Sequence, residues 1–63
     1  MIDEIYLLGL DAYSNGNYTE ARQHWEEALL LSPGYVPAIE GIEMLNNREE
    51  LQRHIDELYR LEF

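Results

Sequence analysis

The chain contains no cysteine and no lysine. Without thiols it can form neither a disulfide staple nor a thiolate metal centre, and cysteine usage gives no reading of the redox compartment. Without lysine, only Arg22, Arg48, Arg53 and Arg60 oppose thirteen carboxylates, and the formal net charge is -9. A surface of that balance repels phosphate backbones and anionic lipid heads, which argues against nucleic-acid and membrane-surface roles. Its electrostatic complement is a basic partner. Long apolar runs are also missing: none approaches the ~18 residues of a membrane span. The opening "MIDEIYLLGL" lacks the basic leader of a secretory signal. The expectation is a soluble chain, cytoplasmic rather than secreted.

An apolar fraction of 46% in 63 residues nevertheless favours folding over disorder. A chain this short makes one small domain, spanning residues 1–63, and buries only ~60% of the surface its unfolded form exposes. That leaves little interior for an enclosed active site. No glycine-rich phosphate loop, H-E-x-x-H helix or supported Ser/His/Asp or Cys/His constellation occurs. No catalytic residue and no cofactor is therefore assigned, and the chain is not expected to be an enzyme.

Helical periodicity dominates, with no alternating stretch long enough for a strand. A first helix is predicted from about Asp3 to Ser14, ending at the turn pair Asn15-Gly16. A second starts with Asn17 as cap and Glu20 three residues on, and ends at Ser32-Pro33-Gly34. Pro37 opens a third, through about Leu45, since proline suits a first helical turn. Asn46-Asn47 is read as an interruption, with Asn47 and Glu50 repeating the cap pattern before a last helix to about Glu62. Both short connections imply antiparallel neighbours.

The stretch "SNGNYTEARQHWEEALLLSPGY" places Ala21, Trp25 and Ala28 on one helical face, small, large and small. With Ile5, Leu8 and Gly9 before them and Pro33 after, their spacing resembles the tetratricopeptide repeat, over residues of about 2–35. Gly9, Ala21 and Ala28 would allow close helix contacts, and Trp25 would fill the space to the next helix. Residues 36–63 resemble a degenerate, shortened second repeat with a terminal helix. Ile39 and Ile42 suit it, but Glu43 stands where the family has a small residue and Leu51 where it has a close-contact alanine. The resemblance implies an all-α fold of four short helices in two antiparallel helix-turn-helix pairs, stacked as a right-handed superhelix.

It also implies a protein-interaction module or scaffold. A stripe of Tyr6, Leu10 and Tyr13, with Met44 beside it, would fall on the groove where the family holds peptides and helices. A basic amphipathic helix is the expected occupant, given the acidic flanks. The alternative is that these tyrosines pack internally. The last helix spreads Leu51, Ile55, Leu58, Tyr59, Leu61 and Phe63 over an arc too broad for one neighbour, so a homo-oligomer is expected. A different role also remains open, that of a terminal repeat in a larger scaffold. Glu20/His24 and Glu50/His54 are the only recurrent pairs with metal-ligand potential. Exposed i,i+4 contacts explain them without a metal.

Overall fold

In a computed structural model describing residues 1–61, the chain forms three helices, α1 (Ile2–Ser14), α2 (Tyr18–Leu31) and α3 (Val36–Leu61). No strand occurs among the described residues. α1 stops where Gly16 takes φ 82, a left-handed conformation that glycine adopts without steric cost. The amides of Gly16 and Asn17 then reach back to the carbonyls of Tyr13 (3.0 Å) and Ala12 (2.8 Å), the paired bonds of a Schellman ending. Asn17 does flank α2, but its side chain makes no capping bond. α2 ends with the Ser32 amide on the Ala28 carbonyl at 2.9 Å. Pro37 lies in the first turn of α3, where its missing N–H costs nothing.

Contacts fix the topology. Tyr13 meets Tyr18 near the α1–α2 turn, while Tyr6 meets Trp25 further from it, so α1 and α2 run antiparallel. Tyr18 meets Arg48, Arg22 meets Asn46 and Glu49, and Trp25 meets Gly41, so α3 runs antiparallel to α2. Ala12, Ala21, Trp25, Ala28, Ala38 and Leu45 make the core, with Trp25 fully buried at its centre. Removing 150–250 Å² of indole from water contributes about 4–6 kcal/mol at ~25 cal/mol/Å². That is a large share of what a domain this small can gather.

The expected fourth helix does not form: α3 passes through Asn46-Asn47 without a break. Two antiparallel pairs in a superhelical stack are replaced by one hairpin and a long third helix. Asparagine costs a helix interior only ~0.7 kcal/mol, and after Gly41 neither glycine nor proline supplies a stronger stop. Asn46 also has other work, because its Oδ1 accepts from Arg22 Nη2 at 3.0 Å. At ~1.5 Å per residue α3 is about twice as long as α1, and its half after Leu45 runs on for roughly 24 Å. All side chains described there are exposed, and the molecule measures 50 × 22 × 13 Å.

Candidate functional site

Trp25 is the point on which the tyrosines converge. Its Nε1 donates to the Tyr6 carbonyl at 3.1 Å, satisfying the one polar group of a buried indole. The Tyr6 ring stacks on it at 6.2 Å between centroids, and Tyr13 lies 5.9 Å away. Tyr6 also meets Tyr35 edge-on at 6.1 Å, and Tyr13 meets Tyr18 at 5.3 Å. Tyr6, Leu10 and Tyr13 are thus half-buried around the core, with only part of each ring or chain open to a partner. Met44, on α3, is 45% exposed.

The residues of the repeat pattern divide. Ala21, Ala28, Gly9 and Trp25 are buried and Ile5 half-buried, whereas Pro33 sits exposed in the α2–α3 turn. Leu8 is 53% exposed and does not face the hairpin as its spacing suggested. The role of Gly9 also differs from a backbone crossing. A Cβ there would stand 2.6 Å from Trp25 Cδ1, so the glycine clears room for the indole. Gly41 does the same on the opposite side, where a Cβ would stand 2.7 Å from Trp25 Cε3. Sequence reasoning passed over Gly41 because a strict 34-residue period points to Glu43. The available signal was a second glycine inside an apolar helix.

On the projecting half of α3, Leu51 is 60%, Ile55 37%, Leu58 52% and Tyr59 63% exposed. With Met44 they form one stripe, roughly a third of a turn around the helix from the face that packs on Trp25. Leu61, as a side chain, and Phe63 lie outside the described residues.

Arg22 Nη2 binds Asn46 Oδ1 and Glu49 Oε1, both at 3.0 Å, and the Arg48 guanidinium lies 4.3 Å above the Tyr18 ring. Together they hold α3 to α2 just where a break was expected. Glu49 therefore turns to α2, and Asp56 accepts from Gln52 at 3.2 Å. Tyr35 donates to Asp3 at 2.6 Å; this bond, then burial and the Asp3 charge, push its hydroxyl up to about 12. His24 reaches Glu20 at 3.8 Å, a single-turn contact, while Glu50 and His54 are exposed. No cluster of three or more potential metal ligands forms among the described residues. An open depression lined by Tyr18, Leu45, Arg48, Glu49 and Gln52 flanks the α2–α3 contact. No helix is long and apolar enough to cross a membrane among the described residues.

A helical hairpin closed by small residues around one aromatic, with a following helix laid on its second member, defines a helical-repeat protein. The family model described as tetratricopeptide repeat matches residues 2–35, and the chain belongs to that family. It is also 44% identical over 43 residues to a UPF0164 protein of Treponema pallidum (strain Nichols). That match covers 68% of this chain and spans about a tenth, 10%, of the relative's length. No solved structure matches the chain.

Proposed function

We propose that the chain is a non-catalytic protein-interaction module that self-associates through the projecting half of α3. The observation that carries this is the stripe of Leu51, Ile55, Leu58 and Tyr59, exposed on a helix that outruns its own hairpin. Burying each large side chain contributes ~1.5–3 kcal/mol, against an association cost of ~4–15 kcal/mol. The balance is a weak, concentration-dependent pair. The edges of Tyr6, Leu10 and Tyr13 form a second and smaller apolar surface, suited to a basic amphipathic helix because the chain around it is acidic.

Sedimentation equilibrium tests the main reading. The chain is expected to associate at micromolar concentration, more tightly in added salt as repulsion between two copies of charge -9 is screened. Leu51→Glu with Leu58→Glu should give a helical monomer. A folded, unsubstituted chain that stays monomeric at high concentration, in low and high salt, rejects self-association.

A second reading, a repeat within a longer scaffold, is favoured by Leu7 and Leu8. They are exposed on α1, where a preceding repeat would have apolar surface to cover. Retained association after the α3 substitutions, with loss after Leu7→Glu and Leu8→Glu, would favour it.

A further inference from the structure

We infer that two copies pair by antiparallel contact of their α3 helices, centred on Leu51; this rests on the self-association proposed above. Met44, Leu51 and Leu58 are spaced by seven residues, and Arg48 and Ile55 fall between them in the positions that complete a coiled-coil seam. The flanking positions are Leu45, which is buried in the core, and Asn47, Gln52, His54 and Tyr59. Glu49, Glu50, Asp56 and Glu57 all fall on the side of the helix away from this seam, Glu49 turned toward α2. A chain of charge -9 therefore offers a strip free of carboxylates, whose one permanent charge is Arg48. A basic helix gains nothing electrostatic from such a strip. A second copy avoids meeting acidic groups there, and that complementarity selects it as the occupant.

Arginine also selects the direction. Parallel pairing in register sets the two Arg48 residues at the same level of the contact. It also brings together two hairpins that each carry Asp3, Glu4, Asp11, Glu20, Glu26 and Glu27 against Arg22 alone. Antiparallel pairing about Leu51 places Met44 beside the partner's Leu58, separates the two Arg48 side chains along the axis, and sends the hairpins to opposite ends. The Arg48 guanidinium is already drawn from the stripe onto Tyr18, leaving its aliphatic stem for the seam. Contact along this length buries on the order of 1,000 Å² in total, at the low end for specific pairs.

The absence of cysteine makes introduced thiols clean reporters. Full-length Met44→Cys and Leu58→Cys chains, each checked for unchanged helicity, are oxidised separately and as an equal mixture. The expected result is a disulfide-linked Met44→Cys/Leu58→Cys pair, with at least tenfold less Met44→Cys self-pair in the separate sample. If Met44→Cys alone cross-links as readily as the mixture, the antiparallel direction is overturned while self-association stands. If neither sample cross-links although the unsubstituted chain sediments as a dimer, the α3 seam is overturned. A monomeric unsubstituted chain overturns both this inference and the reading beneath it.

Discussion

The indole of Trp25 presses against Gly41 so closely that a Cβ at that glycine would lie 2.7 Å from Cε3 and 2.8 Å from Cδ2. The neighbour is a rigid ring, wedged on its other side by Gly9, and it cannot step aside. Gly41→Ala is therefore expected to destabilise the fold, although alanine improves helix propensity by ~1 kcal/mol. Overpacking costs ~1–3 kcal/mol, and the net loss should be read as a lowered Tm. Gly9→Ala should behave alike. Gly34→Ala is the control, because nothing lies within 4 Å of its Cβ position. A chain that tolerates alanine at Gly41 as well as at Gly34 does not hold its tryptophan between α1 and α3.

Arg22 ties α2 to the middle of α3, bonding Asn46 and Glu49 at 3.0 Å each. The ion pair is partly exposed, 26% and 61% for the two side chains, so solvent screening limits it to ~0.2–1 kcal/mol. Arg22→Ala should therefore lower global stability by less than ~1.5 kcal/mol once the neutral bond to Asn46 is included. Its larger effect should be local, as faster hydrogen exchange at amides 46–50. Unchanged exchange there would mean that α3 stays continuous without the clasp.

Tyr35 gives the molecule an alkaline signature. Its hydroxyl is raised from 10.0 to about 12, first by the bond to Asp3, then by burial and by the Asp3 charge. The folded state holds this proton more tightly than the unfolded chain. The associated stability is complete below pH 10.0 and is lost as pH rises through about 12. Tyr35→Phe should remove that dependence, followed as denaturation midpoints across the same range. An identical alkaline decline in the variant would show that the Tyr35–Asp3 bond does not contribute.

The first hairpin was legible in the sequence because its signals agree at several levels. Gly16 marks a turn that needs positive φ, and Ala21, Trp25 and Ala28 mark one buried face. The rest of the chain separates local pattern from tertiary outcome. Asn47 and Glu50 copy the spacing of Asn17 and Glu20, yet α3 continues, since a cap residue only permits a helix start and does not enforce a stop. Leu8 obeys the repeat spacing but is exposed, because periodicity says which residues share a face and not which faces find a neighbour. Gly41 and the Arg22 clasp depend on where α3 lands against α2. No window within one helix contains that information. The tyrosine stripe and the stripe on α3 were both visible as patterns, and their different exposures became visible only with all three helices in place.

The exposed stripe exists only if α3 runs unbroken, so the most direct measurement is the distance between labels at Glu40 and Glu57. Labelled chain diluted into excess unlabelled chain reports the distance within one molecule. At ~1.5 Å per residue the continuous helix sets these backbone positions about 25 Å apart. That separation, as a single narrow population, is the expected result. A population near the ~8–10 Å of two packed helices would mean that α3 folds back at Asn46-Asn47 and covers its own stripe, contradicting the surface on which the proposed function depends.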